Sequence, residues 1–266
     1  MSGLGSIYNL EKETMKDSFL HLMDGRVKLV ILIFIIVYAV YTTEILVLAV
    51  MEIYLLLLIY LSKVSFKGAM KRVLLLLPFG GAIIIFQPFV HPGTVMYVLP
   101  FGINVTYEGL AFGMLLFSRL VVTLTAIVLL SSISPMQEVV QSFRKLGMPK
   151  EFSMLFGLMV RFLFVFFDEL QRIRNAQTSR NFDIFNKKTA YMWRMKQIGY
   201  TIMMMFLRSY EQGEKVYASM LSRGYSDDSD MYTTKDKIGQ KEYKFIIITL
   251  AVVITIEIMK YASFIN

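Results

Sequence analysis

Five long apolar runs leave this chain few ways to fold. They are KLVILIFIIVYAVYTT (28–43), EILVLAVMEIYLLLLIYL (44–61), VLLLLPFGGAIIIFQPFV (73–90), LAFGMLLFSRLVVTLTAIVLLSSI (110–133) and YKFIIITLAVVITIEIMKYASF (243–264). A helix needs about 20 apolar residues to cross the hydrocarbon core of a bilayer. Within that core every backbone polar group must be bonded internally, which a helix achieves by itself. The runs therefore predict an all-α, polytopic membrane protein with about five transmembrane helices. The first run is short and borrows flanking residues, and the third is kinked at Pro78. HPGTVMYVLPFGINVTYEG (91–109) is rich in Pro and Gly and reads as a connection, partly re-entrant.

Composition agrees. Charged residues make up 18% of the chain, against about 25% in soluble domains. The net charge of +8 suits cytoplasmic loops facing an anionic leaflet, and no nucleic-acid partner is expected. With no cysteine and only His21 and His91, neither a metal centre nor a cofactor is expected. The first 26 residues lack the pattern of a secretory signal and read as a cytoplasmic segment. Orientation follows from Lys and Arg. Lys12, Lys16, Arg26 and Lys28 precede the first span, and Lys63, Lys67, Lys71 and Arg72 follow the second. The YTTE link and residues 91–109 carry none. The expectation is a multi-pass protein of the prokaryotic cytoplasmic membrane with its N-terminus in the cytoplasm and its C-terminus outside.

Three regions follow: an N-terminal membrane domain of four spans (1–134), a cytoplasmic block of long helices (135–242) and a C-terminal transmembrane helix (243–266). Residues 135–243 hold 17 of the 28 basic residues together with 12 acidic ones, mixed with apolar residues at helical spacing. Helices are expected over 135–146, with Ser134 as N-cap and Pro135 at the first position, over 150–180 and over 190–223. Residues 225–241 read as a polar loop. Glu211 and Lys215 are spaced for an i,i+4 pair.

Two helix ends in this block repeat each other. Asp168, Arg172 and Ile173 are followed by Ser179-Arg180-Asn181-Phe182. Glu211, Lys215 and Val216 are followed, at the same spacing and without gaps, by Ser222-Arg223-Gly224-Tyr225. Gly and Asn adopt the left-handed conformation that ends helices, so each arginine belongs to a last turn, where the helix dipole favours a cation. Taken singly, each is an ordinary helix stop. Taken as a pair, they suit a partner with two equivalent acidic grooves, because a guanidinium presents a rigid fork of donors to carboxylates.

At this point the sequence resembles the transmembrane T component of energy-coupling factor (ECF) transporters, in the branch called CbiQ (the EcfT/CbiQ family). HLMDGRVKL (21–29) resembles that family's lead-in to the first span. SPMQEVVQSFRKLGMPKEF (134–152) resembles its Ser-Pro…Leu-Gly-x-Pro segment. RSYEQGEKVYASMLSRGY (208–225) and AQTSRN (176–181) resemble its two signatures, with Asn181 in place of the usual Gly. The resemblance implies a non-catalytic scaffold that joins two ABC-type ATPase subunits to a substrate-binding membrane S component, CbiM-like or vitamin-specific. It implies ATPase docking through Ser179, Arg180, Asn181, Ser222, Arg223 and Gly224. Cobalt or nickel is the implied cargo, with a shared T component of vitamin importers as the alternative.

Other charged residues read as structural. Arg119, inside the fourth run, is expected to turn toward Glu108 or Glu52, because a charge facing lipid is costly. Asp168 and Glu169 are expected to pair with Arg172. Met-rich TIMMMFL (201–207) reads as adaptable apolar surface, and Asp227, Asp228 and Asp230 as solvated. No phosphate loop or nucleophile elbow is present. An intramembrane enzyme is thus a poor second reading, and a channel leaves the helical block unexplained.

Overall fold

The computed structural model describes residues 18–90, 92–99, 103–180, 182, 190–226, 229 and 239–265. The chain divides into two compact units, Met1–Leu146 with Lys235–Asn266, and Gly147–Thr234.

In the first unit the apolar runs become α1 (Gly25–Tyr41), α2 (Ile45–Leu61), α3 (Phe66–Ile85), the short α4 (Gln87–Val90), α5 (Tyr107–Ile133) and α9 (Gln240–Ile265). Helix α5 is the hub, packing on α1, α2, α3 and α4. Apolar residues surround these helices, so burial is decided by neighbours rather than by one amphipathic stripe. Ile35, Ala39, Leu55 and Ala126 are wholly buried where α1, α2 and α5 meet, and the two alanines let backbones approach closely. Helix α5, with 27 residues, is long and apolar enough to span a bilayer. Helices α1 and α2 have 17 residues each, about 25 Å at 1.5 Å per residue, and fall short without flanking residues. Pro78 lies inside α3, and the segment Phe66–Val90 bends by 43° just beyond it. A proline removes a backbone donor and crowds the preceding turn, so the expected kink is present.

Residues 91–109 correct one expectation. Val95–Leu99 (β1) and Ile103–Thr106 (β2) form a two-stranded antiparallel hairpin, pairing Leu99 with Ile103 and Val95 with Thr106. The β-branched residues of VMYVL and INVT favour extended backbone, a signal masked by the surrounding prolines and glycines.

Polar side chains lace the bundle together. Arg119 donates from Nε and Nη2 to the Thr42 carbonyl, at 3.0 and 2.7 Å, and not to Glu108 or Glu52. The carbonyl at the end of α1 is nearer than either carboxylate and is satisfied by the same fork. Glu52 instead accepts from Thr125 Oγ1 at 2.9 Å, and Glu108 accepts from the Thr94 amide at 2.7 Å. Tyr38 donates to Glu257 at 2.7 Å, and the Tyr54 and Thr249 hydroxyls lie 2.8 Å apart. These last two contacts hold α9 to α1 and α2.

Helix α6 (Met136–Lys145) packs on α1. Its N-cap is Pro135, without a side-chain capping bond. Ser134 closes α5 instead, its amide donating to the Leu130 carbonyl at 3.1 Å. The expected Ser134 cap is therefore absent: α6 begins at Met136, one residue later than expected, so Pro135 takes the cap position and Ser134 ends α5.

The second unit holds α7 (Lys150–Ser179) and α8 (Tyr191–Ser222). They run antiparallel. Gln177 Nε2 donates to Thr201 Oγ1 at 2.8 Å, Arg208 pairs with Glu169, and Phe162 shares a groove with Val216. No residue of α8 is buried.

Candidate functional site

Helix α7 ends at Ser179 with Arg180 as its C-cap, and α8 ends at Ser222 with Arg223 as its C-cap. Each arginine thus stands one residue past the last helical position. Gly224 takes φ +82°, its amide bonds to the Leu221 carbonyl at 3.0 Å, and the Tyr225 amide bonds to the Met220 carbonyl at 3.0 Å. That pair of bonds is the Schellman closure of a helix. At α7 the Phe182 amide makes the equivalent bond to the Gln177 carbonyl, also at 3.0 Å. Asn181, between them, lies outside the described residues. The serines match too. Ser179 Oγ donates to the Asn175 carbonyl at 3.0 Å, and Ser222 Oγ donates to the Ala218 carbonyl at 2.7 Å. Both hydroxyls are turned back into their own helices, while both arginines are exposed. Neither guanidinium has an ion-pair partner among the described residues.

Antiparallel pairing sends the two caps to opposite ends of the α7–α8 pair. Arg180 follows the residue level with Thr201, and Arg223 lies a further 22 residues along α8, on the order of 30 Å at 1.5 Å per residue. Between these ends runs an apolar groove of about 400 Å³, lined by Met159, Phe162, Phe166, Val216, Tyr217 and Met220 among others. Glu169 forms ion pairs with Arg208 and, at 3.7 Å, with Arg172, so one carboxylate serves both helices. Among the described residues Asp168 shows no such pairing, and Glu211 and Lys215 do not pair with each other. Asp227, Asp228 and Asp230 lie outside the described residues.

Sequence reasoning did not find a second polar cluster, at the start of α1. Asp24 is the α1 N-cap, accepting from the Arg26 amide at 3.0 Å. The Arg26 guanidinium returns to the same carboxylate at 2.7–3.2 Å. Lys28, wholly buried, reaches Glu138 of α6 at 2.7 Å and the His21 carbonyl at 3.3 Å. A 3.4 Å hydrogen bond runs from the Asp24 amide to Glu242 of α9. Burial pushes the Asp24 carboxyl up, but the Arg26 hydrogen bonds and Lys145 outweigh it and hold the carboxyl below its ordinary value. For Glu138 burial prevails and lifts the carboxyl despite Lys28. The available signal was HLMDGRVK itself, in which an acid precedes a helix by one residue and a lysine follows four later. Nothing in the spacing, however, assigns Glu138 or Glu242 as partners.

Among the described residues no group of three or more His, Asp or Glu side chains could hold a metal ion.

A family model described as CbiQ, cobalt transport protein, matches residues 16–233, which takes in α1 to α8. An "Uncharacterized protein" of Methanocaldococcus jannaschii is 28% identical, covering 91% of this chain and 83% of its own length. The energy-coupling factor transporter transmembrane protein EcfT of Streptococcus thermophilus is 26% identical over 79% of this chain and 81% of its own. A putative fused cobalt transport protein CbiMQ of Methanocorpusculum labreanum is 29% identical over 60% of this chain and 24% of its own length. The apolar helical bundle and these matches agree on a helical membrane protein of transport, and the chain belongs to the CbiQ family of cobalt transport proteins.

Proposed function

We propose that this chain is the T component of an ECF-type ABC importer. It holds two ATPase subunits and a membrane S component and hydrolyses no ATP itself. The observation that carries this reading is the pair of equivalent helix ends. Two exposed arginines, each a C-cap followed two residues later by an amide that bonds back into the helix, stand at opposite ends of one antiparallel helix pair. A twofold partner with one acidic groove per subunit matches that arrangement. Ser179, Asn181, Ser222 and Gly224 flank the arginines and shape the two plugs. The cargo we assign is cobalt or nickel, which the relative named as a cobalt transport fusion supports. The relatives named EcfT favour a second reading, a T component shared among vitamin importers.

The test is to co-express the chain with its ATPases and S component, then measure ATPase recovery on purification and uptake of labelled cobalt. Arg180→Ala or Arg223→Ala weakens recovery and uptake, because truncating one partner of an interface ion pair costs roughly 2–5 kcal/mol. The double change abolishes uptake while the chain still inserts. Lysine restores only part, since an ammonium lacks the planar fork, and glutamate is worse than alanine. Full ATPase recovery in the double alanine variant would falsify the docking assignment. Vitamin uptake without cobalt uptake by the native complex would select the second reading.

A further inference from the structure

The chain passes between its two units twice, leaving the first after Leu146 and returning at Lys235. The last helix before the exit is α6, and the first helix after the return is α9. Both are tied to the same five residues, Asp24 to Lys28. Helix α6 is held by the Lys28–Glu138 pair at 2.7 Å, with the lysine side chain wholly buried. It is also held by shape. A Cβ on Gly25 would sit 2.5 Å from Ser142 Oγ and 2.8 Å from Glu138 Cγ, so only glycine lets α6 cross so closely. Ser142 is itself buried and bonds back to the Glu138 carbonyl at 2.7 Å, which fixes that turn of α6. Helix α9 is held by the bond from the Asp24 amide to Glu242. Asp24 cannot swing to release it, because its carboxylate is gripped by the Arg26 amide and guanidinium.

We infer that the segment Asp24–Lys28 is a rigid anchor for both connections, with Lys28 and Asp24 as positioning residues that hold α6 and α9 in fixed register on α1. Movement driven within residues 147–234 then reaches the bundle without being absorbed at the junctions. Buried ion pairs add little stability over apolar isosteres but can fix a register. Lys28–Glu138 fits that use, since Val27 and Ile31 of α1 and Met23 just before it are buried apolar residues.

This inference rests on the T-component reading, and the experiment separates the two. Amide hydrogen exchange is followed on the purified whole complex, nucleotide-free and with ATP trapped by vanadate. Exchange within 147–234 changes on trapping, while residues 136–145 and 240–246 exchange at the same rate in both states. No ATP response anywhere overturns the T-component reading and the anchor with it. A response in 147–234 that spreads into 136–145 or 240–246 overturns the anchor alone, because those junctions would then be hinges. Glu138→Lys sets two ammonium groups together and speeds exchange in 136–145 by about tenfold or more, the size of a coupling of 1–3 kcal/mol. Glu242→Ala does the same in 240–246. Unchanged exchange in these variants overturns the positioning roles. A last arm keeps all native charges. A Cβ at position 25 would meet Ser142 and Glu138, so Gly25→Ala speeds exchange in 136–145 while leaving 240–246 as in the native chain, and unchanged exchange in 136–145 overturns the part of the anchor that rests on close packing.

Discussion

Single residues at the start of α1 combine opposite electrostatic demands, and pH separates them. The Asp24 carboxyl is held below its ordinary 3.8. Its contribution is therefore complete above the unfolded value and is lost as pH falls through the folded one. Glu138 is lifted above 4.5 by burial. The fold thus favours its neutral form, and that contribution is present below the unfolded value and lost as pH rises through the folded one. Melting temperatures in detergent between about pH 3 and 6 should show a steeper acid limb in the native protein than in Asp24→Asn, and Glu138→Gln should raise the melting temperature at the upper end of that range relative to its lower end. At neutral pH, Asp24→Ala should cost about 1–2 kcal/mol through the lost N-cap. Lys28→Ala should cost about 3–5 kcal/mol because it leaves Glu138 unpaired, whereas Lys28→Met with Glu138→Met should be close to neutral. A double variant as unstable as the single one would show that burial of unpaired charge is not the cause.

Helices and their ends show what was legible in the sequence and what was not. The limits of α6, α7 and α8 follow from Gly147, Pro149, Asn181 and Gly224, because helix stops are local chemistry written in one or two residues. The bend near Pro78 is legible for the same reason. The β1–β2 hairpin was missed because its strands are only five and four residues long and lie among prolines and glycines that suggest irregular backbone. The partners of Arg119, Lys28 and Asp24 were missed because they are 77, 110 and 218 residues distant, and a pattern of spacing cannot specify which far carbonyl or carboxylate arrives. The exposed flank of α8, with Met192 76%, Ile202 64% and Phe206 63% accessible, was legible as an excess of apolar residues, though not as a helix with no buried residue at all. The equivalence of the two caps gives a prediction at this scale. Gly224 has φ +82° and open space around its Cα, so the constraint there is conformational and not steric. Gly224→Asn should be tolerated, since Asn visits the left-handed region and already stands at the matching position of α7. Gly224→Val should fray the end of α8 and lower ATPase recovery as Arg223→Ala does, with α7 docking intact. Equal recovery for Asn and Val would separate docking from cap geometry.

For the whole molecule, we propose an orientation of the bundle in the membrane on the basis of charge. No acidic residue lies between Glu52 and Glu108, yet Lys63, Lys67, Lys71 and Arg72 fall within eleven residues after α2. The first three are exposed. Lys63 sits in the left-handed region at φ 56° and ends α2, so the basic cluster begins where the helix stops and opens the turn into α3. Short basic loops are retained on the cytoplasmic side and are attracted there by the anionic leaflet. The α1–α2 link, Thr42–Glu44, and the hairpin between α4 and α5 carry no Lys or Arg, and the proposed orientation puts them on the opposite side. Placing either link in the cytoplasm would send four cations outward, against the bias that sets orientation. The native chain lacks cysteine, so single substitutions report without background. Thr43→Cys and Asn104→Cys should react with an impermeant maleimide on intact cells, and Lys67→Cys only after permeabilisation. In that orientation α5 carries the chain inward, so Arg180→Cys and Arg223→Cys should behave like Lys67→Cys, as the proposed docking to cytoplasmic ATPases requires. Labelling of Arg223→Cys from outside would remove the docking sites from the compartment that holds ATP, whatever the fate of the other positions.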